Sequence, residues 1–419
     1  MSRRTTLVFG LPLFVALFHC NALLGIEDAS VVEGPGGAAG EGGVSGVGGG
    51  GGTGGATAGR GGAGTGGRGG EAGADPGVKV QVAAGAEHTC AWVQGGKAYC
   101  WGDHLYGQLG NGGPLGKSAG PVPVLDAKGV PLTGFRQLDL GGRHTCALRD
   151  DETVLCWGLN GQGQAAADPA LVSQALEPTP LRDTDGVNPL QNVKQIALGD
   201  AHGCALLDNG SVACWGDNAF GQLGRGEGPA SYVAKIVLDD VGEVLSGVQD
   251  IAAGDFFSCA RTAAGTLYCW GSNNFGQIGA AFPLGAIAYN ATPYFDSSSN
   301  GIQNATAFAL GGFHACAIFA GGRVRCWGSD ESGQLGNGPG TGGAAGAAGA
   351  GGAVPRLAAV DPVKVLDATG AELTGALSLS LGAQHSCALL AGGVARCWGR
   401  NGSGELGDGT VDVTPGARP

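Results

Sequence analysis

Twelve of the thirteen cysteines stand in six pairs, and the two members of each pair are ten residues apart. The pairs are Cys90 and Cys100, Cys146 and Cys156, Cys204 and Cys214, Cys259 and Cys269, Cys316 and Cys326, and Cys387 and Cys397. Thiols at a fixed spacing can join as disulfides or bind a metal ion, and a histidine two residues before the first cysteine of five pairs offers a third ligand. Zinc sites usually pair ligands about two to four residues apart. The longer spacing therefore favours disulfides.

Each pair of cysteines brackets a sequence that predicts a β-hairpin. In the third pair the turn is Asp208-Asn209-Gly210, where Asn and Gly tolerate the positive φ of tight hairpin turns. Cys204 and Cys214 are equidistant from Asn209. They should face each other with Cβ atoms about 4.5–5.5 Å apart, which is close to the reach of a disulfide. We predict six disulfides, one in each hairpin, and no bound metal or cofactor.

A recurring histidine is the other candidate for chemistry. It occurs at His88, His144, His202, His314 and His385, and Phe257 takes its place in the fourth copy. A side chain that recurs in copy after copy, and that one copy lacks, is more typical of a structural role than of an active site. A recurring tryptophan (Trp101, Trp157, Trp215, Trp270, Trp327 and Trp398) predicts packing between repeats. The sequence contains no phosphate loop, nucleophile elbow or zinc-protease motif, so we predict no catalytic residue.

These residues recur because the chain is a repeat. Its Cys-Trp-Gly triplets are 55 to 58 residues apart, with one interval of 71. Each copy reads as four short strands, which in the third copy are Val193–Leu198, His202–Leu207, Ser211–Gly216 and about Ala234–Val237. Four strands in about 55 residues is typical of a propeller blade. The predicted fold is all-β, a β-propeller of six four-stranded antiparallel blades, with seven blades as the alternative.

The propeller is expected to span residues 78–419. Its repeats are expected at about residues 78–133, 134–190, 191–246, 247–304, 305–374 and 375–419. The stretched interval is filled by the Gly/Ala insertion Gly340–Ala353, which has no strand character. The chain ends near the point where the last blade needs its fourth strand. We therefore expect the N-terminal strand Val78–Val82 to join the last blade and close the ring.

The repeat resembles a known family. Its pattern is Gly-x-x-His-Thr/Ser-Cys-Ala-Leu, a turn, Val-x-Cys-Trp-Gly-x-Asn and Gly-Gln-Leu-Gly, and the best copies are Gly199–Gly224 and Gly311–Gly336. This pattern resembles the regulator of chromosome condensation repeat over residues 78–409. The resemblance implies a β-propeller, usually of seven blades. The family includes a nucleotide exchange factor for a small nuclear GTPase, and other members look like general binding platforms.

The N-terminus predicts export. Residues 1–20 read as a signal peptide, with Arg3 and Arg4 before the apolar run Leu7–Phe18, which is too short to span a bilayer. Cys20, the one unpaired cysteine, follows this run and resembles the lipidated residue of a bacterial lipoprotein, although His19 departs from that pattern. A plain signal peptide is the alternative. Residues 21–77, rich in glycine, predict a disordered linker because they carry too few apolar side chains to form a core.

Composition limits the partners. The net charge of −12 argues against nucleic acid, whose binding proteins usually have a basic face. We expect a monomer that touches a membrane only through a lipid on Cys20. It would lie at the outer membrane or cell surface if lipidated, and otherwise in the periplasm or outside the cell. The chain would thus be an exported, bacterial, cysteine-rich member of the family.

Function is expected to lie in the variable segments that follow each Gly-Gln-Leu-Gly motif, because loops on a rigid scaffold commonly carry binding residues. The fourth such segment holds Phe282, Tyr289, Tyr294 and Phe295, aromatic residues of the kind enriched at interfaces. The leading interpretation is a protein-binding propeller without catalytic activity. The alternatives are a regulator of a small GTPase similar to an exchange factor, and an enzyme that acts on surface carbohydrates.

Overall fold

The structure, a computed structural model, describes residues 80–338, 358–411 and the backbone of strand 414–418. The predicted signal peptide, Cys20, the glycine-rich linker and the insertion Gly340–Ala353 lie outside these residues. Across the described ranges, helical structure is limited to one short 3-10 turn, Ala320–Gly322. None of the helical structure found there is long and apolar enough to cross a membrane.

Twenty-four strands form six separate four-stranded antiparallel sheets, each ordered along the chain. Blade 1 is β1 (Val80–Ala84), β2 (His88–Val93), β3 (Ala98–Asp103) and β4 (Lys117–Pro123). Blade 2 is β5 (Phe135–Leu140), β6 (His144–Arg149), β7 (Val154–Leu159) and β8 (Gln174–Pro180). Blade 3 is β9 (Val193–Leu198), β10 (His202–Leu207), β11 (Val212–Gly216) and β12 (Ser231–Ile236).

The second half of the chain repeats this arrangement. Blade 4 is β13 (Val248–Ala253), β14 (Phe257–Thr262), β15 (Leu267–Ser272) and β16 (Ile287–Pro293). Blade 5 is β17 (Ala307–Leu310), β18 (His314–Phe319), β19 (Arg323–Ser329) and β20 (Ala358–Lys364). Blade 6 is β21 (Ala376–Leu381), β22 (His385–Leu390), β23 (Ala395–Gly399) and β24 (Thr414–Arg418). The predicted all-β propeller of six four-stranded blades is confirmed.

The predicted closure of the ring by the N-terminal strand is wrong. Strand β1 pairs with β2 and is the first strand of blade 1. The fourth strand of blade 6 is β24, which pairs with β23. The last repeat thus supplies all four of its own strands, and strand β1, antiparallel to β2, is already used by its own hairpin.

Successive blades are joined by the recurring tryptophans. Five indole N–H groups donate to the backbone carbonyl of a glutamine in the preceding blade. The bonds are Trp157 to Gln108 at 2.9 Å, Trp215 to Gln164 at 3.1 Å, Trp270 to Gln222 at 2.8 Å, Trp327 to Gln277 at 3.0 Å and Trp398 to Gln334 at 2.9 Å. All five rings are completely buried. The predicted packing role therefore includes a hydrogen bond that satisfies each buried indole.

Close backbone approach explains one recurring glycine. A Cβ atom added to Gly141 would lie 2.5 Å from the carbonyl oxygen of Gly199 in the next blade and 2.2 Å from the ring of His144. The same clash with the next blade's carbonyl, at 2.4 to 2.7 Å, would occur at Gly85, Gly199, Gly254 and Gly311. These contacts leave no room for a side chain, so they fix how closely neighbouring inner strands pack.

Among the described residues, the packing of blade against blade stops between blade 6 and blade 1. Val82 in β1 is 60% exposed, whereas its counterpart Ile196 in blade 3 is completely buried. Trp101 is only half-buried. A Cβ added to Gly407 of blade 6 would meet nothing within 4 Å, whereas one added to Gly336 would meet the tryptophan of the next blade at 2.7 Å. We call this place the open seam.

Candidate functional site

The six cysteine pairs form six disulfides, each across its own hairpin. Cys204 and Cys214 are directly opposed in the register of β10 and β11, and the other five pairs are opposed in the same way. In all six bridges the Cα atoms are 4.0 to 4.1 Å apart. The bridges join Cys90 to Cys100, Cys146 to Cys156, Cys204 to Cys214, Cys259 to Cys269, Cys316 to Cys326, and Cys387 to Cys397.

The environment of these sulfur atoms is that of a core and not of a metal site. Ten of the twelve cysteines are buried, and Cys387 and Cys397 of blade 6 are half-buried. Over the described part of the chain, no group of three or more His, Cys, Asp or Glu side chains could hold a metal ion. The cysteines therefore cross-link hairpins inside the blades.

Four of the five recurring histidines are buried between blades, and His385 of blade 6 is half-buried. His88 Nε2 is 2.8 Å from Thr145 Oγ1 of the next blade. The same contact, also 2.8 Å, joins His202 to Ser258 and His314 to Ser386. Phe257, which replaces the histidine of blade 4, precedes a blade with an alanine at the hydroxyl position. At that contact both the imidazole and the hydroxyl are absent, whereas His144 keeps its imidazole opposite Gly203 of the next blade.

Burial keeps these imidazoles neutral. Loss of hydration lowers the pKa of His88, His202 and His314 to about 3, and that of His144 to about 4. A neutral imidazole enclosed between two blades can bond a hydroxyl, but substrate cannot reach it.

One acidic side chain is buried at a contact between blades. Asp139 in β5 accepts a hydrogen bond from the Leu198 amide of blade 3 through Oδ2 at 3.0 Å, and one from the Leu140 amide through Oδ1 at 3.0 Å. Loss of hydration outweighs these bonds and raises the pKa of Asp139 to about 8. The carboxyl group is therefore largely protonated in the folded protein at neutral pH.

Replacement of Asp139 by asparagine is expected to remove a loss of stability that accumulates as pH rises from the ordinary carboxyl pKa of 3.8 to about 8. The folded pKa of about 8 lies above the ordinary 3.8. The folded state therefore binds more protons than the unfolded state between these values, and stability falls as pH rises through that window. The free energy of unfolding of the wild type should fall, relative to that of Asp139→Asn, by up to about 1.4 kcal/mol per pH unit.

Chemical denaturation of both proteins at several pH values from 3.8 to about 8 measures this difference. Asp185→Asn, which changes an exposed carboxylate, is the matched control. Parallel stability profiles for wild type and Asp139→Asn would contradict the assignment.

The antiparallel strands give the propeller two faces. The upper face carries two connections of each blade, one between its first and second strands and one between its third and fourth strands. The lower face carries the hairpin turns and the connections from one blade to the next. Phe282 precedes β16 and Phe295 follows it, so these two predicted residues lie at opposite ends of a strand. The four predicted aromatic residues therefore do not form one patch.

Tyr294 belongs to the core and not to an exposed surface. Its side chain is completely buried, its ring centroid is 5.0 Å from that of Trp327, and its hydroxyl donates to the Val360 carbonyl. The expectation of a surface contact is wrong for this residue, because the chain after β16 turns back beneath the next blade. Phe282 packs partly against the core, Tyr289 is half-buried and Phe295 is 36% exposed.

A different group of aromatic residues lies on the upper face. The ring centroids of Phe220 and Phe256 are 5.2 Å apart, those of Phe256 and Phe313 are 5.6 Å apart, and those of Phe275 and Phe313 are 5.3 Å apart. We call these four residues the phenylalanine cluster. It extends over blades 3, 4 and 5, with Phe220 exposed and the others half-buried. The cluster is a continuous apolar surface on loops of the upper face.

Short hydrogen bonds hold two of these rings in place. The amide of Phe220 donates to Gln222 Oε1 at 2.7 Å, and the amide of Phe275 donates to Gln277 Oε1 at 2.8 Å. Both glutamines are buried at the recurring Gly-Gln-Leu-Gly or Gly-Gln-Ile-Gly motif. The recurring core of each repeat therefore fixes the loop that presents a variable side chain.

The sequence interpretation missed this cluster, although a signal for it was present. The residue just before the recurring histidine, or before Phe257 in blade 4, varies from blade to blade, and only blades 4 and 5 share the same type. In chain order these residues are Glu87, Arg143, Ala201, Phe256, Phe313 and Gln384. Large apolar side chains at two successive copies of a solvent-facing position indicate a surface contact. The segment around Tyr294 is longer and contains more aromatic residues, and it was therefore predicted as the contact surface instead.

Acidic residues lie on the same upper-face connections as the cluster. The upper-face connections of blades 3 to 5 contain Asp200, Asp217, Glu227, Asp255, Asp330 and Glu331, with Arg225 as their one basic residue among the described positions. Glu227 and Glu331 are exposed. On blades 1 and 2 the same face places the Arg143 guanidinium 4.9 Å from the Tyr106 ring centroid. Asp200 and Asp217 are half-buried, whereas Asp255 and Asp330 are buried. The upper face of these blades therefore combines an apolar cluster with four carboxylates that are at least partly exposed.

Comparison with known proteins agrees with the repeat. Residues 52–417 match the family model described as the RCC1-like domain. The ultraviolet-B receptor UVR8 of Arabidopsis thaliana is 27% identical over 333 residues, which cover 79% of this chain and 67% of the receptor. A secretion-regulating guanine nucleotide exchange factor of Bos taurus is 26% identical over 365 residues, with 74% of this chain and 76% of the relative covered.

The fold also resembles a solved structure. Yeast RCC1 (Prp20), crystallised with Kap60 bound, superposes with a TM-score of 0.64 at 22% sequence identity, and the match covers 81% of this chain and 74% of that one. At this level of identity the likeness concerns the fold alone.

Proposed function

The chain belongs to the RCC1-like domain family, and from that premise we propose that it is a non-catalytic protein-binding propeller. The phenylalanine cluster carries this proposal. Aromatic side chains dominate binding energy at protein interfaces because they bury a large apolar area with little loss of conformational freedom. Phe220, Phe256, Phe275 and Phe313 form such an area on one face of the scaffold.

The charges of this face define the chemistry of the partner. Four carboxylates on the described upper-face connections of blades 3 to 5 are at least partly exposed, against one guanidinium, and they favour a positively charged segment. Its apolar side chains would cover the cluster, while its Lys and Arg side chains would lie over these carboxylates. Rim charges mainly change the rate of association and its salt dependence. Binding should therefore weaken as salt concentration rises.

The six disulfides are typical of an oxidising, extracellular environment. We propose that the propeller acts there after export. Lipidation of Cys20 would hold it at a membrane surface, and the glycine-rich residues 21–77 would provide reach. Phe282, Tyr289 and Phe295 remain proposed contact residues, at separate places on blade 4.

Regulation of a small GTPase is the second candidate function, because one relative of similar length is a guanine nucleotide exchange factor. It requires a cytosolic partner, whereas disulfides rarely persist in the cytosol. Carbohydrate cleavage has no observation in its favour.

The double substitution Phe256→Ser and Phe313→Ser is expected to weaken partner binding by about 10- to 100-fold, as loss of two hot-spot residues does. A partner captured from the extracellular fraction is purified, and its affinity for each variant is measured by biolayer interferometry at low and high salt. The rings are half-buried on loops, so the fold should persist, and circular dichroism checks this.

Val187→Ser provides the matched control. Val187 is 66% exposed and lies between β8 and β9, on the lower face. Binding that is unchanged by the double substitution, or that is equally weakened by Val187→Ser, would contradict the proposed face. Stimulated nucleotide release from a small GTPase would instead support the second candidate.

A further inference from the structure

One position on the upper face carries different side chains on a backbone that is the same in every blade. It is the residue two before the recurring glutamine, or two before Glu405 in blade 6. Its amide donates to the side chain of that glutamine or glutamate at 2.7 to 2.9 Å in all six blades. In chain order these residues are Tyr106, Gln162, Phe220, Phe275, Ser332 and Ser403. The scaffold therefore fixes the place of a side chain whose chemistry varies.

A second position on the same face has the same property. It is the residue just before the recurring histidine, or before Phe257 in blade 4. Its carbonyl accepts a hydrogen bond from the amide of the residue after the Cys-Trp-Gly triplet, at 2.8 to 3.0 Å in all six blades. Its side chain ranges from arginine and glutamate to alanine and phenylalanine. Both positions thus combine a constant backbone with a variable side chain.

The two positions meet where one blade borders the next. At three borders the first position of one blade contacts the second position of the following blade. The contacts join Phe220 to Phe256 at 5.2 Å and Phe275 to Phe313 at 5.3 Å between ring centroids, and the Tyr106 ring centroid to the Arg143 guanidinium at 4.9 Å. We call the two residues at such a border a junction pair. The phenylalanine cluster is therefore two successive junction pairs.

The junction pairs differ in chemistry from border to border. Side chains that the fold requires keep their type, as the tryptophan does in all six copies. The junction pairs instead change from two rings at the borders of blades 3, 4 and 5 to a ring and a guanidinium between blades 1 and 2. Between blades 2 and 3 the two positions hold Gln162 and Ala201. Variable side chains on a fixed frame are typical of residues that recognise a partner.

The pair of Tyr106 and Arg143 is suited to a carboxylate. Arg143 is exposed, and its guanidinium forms no ion pair with any described residue. Contact with the tyrosine ring holds the guanidinium in place, so less conformational freedom is lost when its planar N–H donors bind a ligand. These donors match the two oxygens of a carboxylate, which they bind in a bidentate manner.

The surrounding charge limits the size of the anion. The chain has a net charge of −12, and four carboxylates on the upper face of blades 3 to 5 are at least partly exposed. A polyanion that covered this face would be repelled by them. A single Asp or Glu side chain at blades 1 and 2 would not, because basic residues of the same partner can lie over blades 3 to 5.

We propose that the junction pairs are the specificity-determining residues of the upper face, and that Tyr106 and Arg143 bind an Asp or Glu side chain of the partner. This inference rests on the proposed function and adds a second contact to it. The partner carries apolar and basic side chains over blades 3 to 5 and a carboxylate over blades 1 and 2.

Selection from a displayed library of random dodecapeptides on the full chain tests the proposal. Peptides selected on wild type should be enriched in apolar residues and in Asp or Glu. On Arg143→Glu the acidic enrichment should disappear, and peptides selected on wild type should bind at least about tenfold more weakly, because like charges would face each other.

Lys128→Glu is the matched control. It makes the same change of charge at an exposed residue between β4 and β5, on the lower face. It should select the same peptides as wild type. Loss of the acidic enrichment in Lys128→Glu as well would overturn the proposal, because overall charge would then explain the effect.

Transfer of a junction pair tests whether the pairs act as separate units. Phe275→Tyr combined with Phe313→Arg places the tyrosine and arginine types on the frame between blades 4 and 5. Peptides selected on this variant should carry a second Asp or Glu and fewer apolar residues. Both changed residues are half-buried on loops, so the fold should persist, and circular dichroism checks this.

The outcomes separate this inference from the proposed function. Apolar enrichment on wild type, with an unchanged content of Asp and Glu on Arg143→Glu, would overturn the inference and leave the proposed function intact. Apolar enrichment that persists in Phe256→Ser with Phe313→Ser would contradict the proposed function, whereas a loss of acidic residues confined to Arg143→Glu would still support the carboxylate site. A wild type that selects no peptide would overturn both.

Discussion

Replacing Trp270 by alanine is expected to lower the free energy of unfolding by about 3–5 kcal/mol, as is usual for a large buried aromatic side chain. The ring is completely buried, and its N–H donates to the Gln222 carbonyl at 2.8 Å. The substitution therefore opens a cavity between blades 3 and 4 and leaves the Gln222 carbonyl with only the longer bond from Ser258 Oγ at 3.5 Å. Equilibrium denaturation followed by circular dichroism measures the loss.

The chain contains its own control for this experiment. Trp101 occupies the same place in blade 1, but it is half-buried and faces the open seam. Trp101→Ala, measured in dilute protein, should lower the free energy of unfolding by less than half as much as Trp270→Ala does. Equal losses would mean that the tryptophans act within their own blades instead of between them.

Trp270→Phe separates the contribution of side-chain packing from that of the hydrogen bond. Phenylalanine keeps most of the packing and loses the hydrogen bond, whose net value is about 1 kcal/mol. A loss as large as that of the alanine variant would assign the tryptophan's effect to the bond.

Removing the Cys204–Cys214 disulfide by substituting both cysteines with alanine is expected to lower the free energy of unfolding by about 3 kcal/mol. Chain-entropy arguments give this value for a short closed loop, and this bridge joins residues 10 apart. Both sulfur atoms are also buried in the core, so packing adds to the loss. Denaturation of the double variant beside wild type, both under oxidising conditions, measures the change.

Reduction of the native protein offers the matched comparison. The Cys387–Cys397 bridge closes a loop of the same length but is half-buried, whereas the other five bridges are buried. Mild reductant followed by thiol labelling and mass spectrometry should therefore modify Cys387 and Cys397 first. Simultaneous labelling of all twelve cysteines would show that reduction requires global unfolding.

Local sequence rules predicted the hairpins well. The Asn209-Gly210 turn and the equal spacing of Cys204 and Cys214 around it fix the register of one hairpin, and the same logic holds in every copy. Strands β9 and β10 have the predicted bounds, while the fourth strand of blade 3 starts at Ser231, three residues before the predicted Ala234. That strand lacks a hairpin signal because a variable loop precedes it.

Features that depend on contacts between blades were not predictable in this way. Tyr294 reads as an interface residue in the sequence, but it packs against Trp327 of the following blade. Asp139 carries no signal of its own in the sequence, and its carboxyl group lies against blade 3. The phenylalanine cluster combines side chains from three repeats. Each case requires the spatial relation between repeats, which a one-dimensional pattern does not contain.

The open seam also bears on how such a protein can change over evolution. In a closed ring, duplication or deletion of one repeat must alter every angle between blades. Here the described inner-strand contacts run from Gly85 to Gly382 without returning to the start. A gene duplication that added one repeat beside the open seam would therefore leave these described contacts in place, so blade number can differ among descendants while the repeat core stays the same.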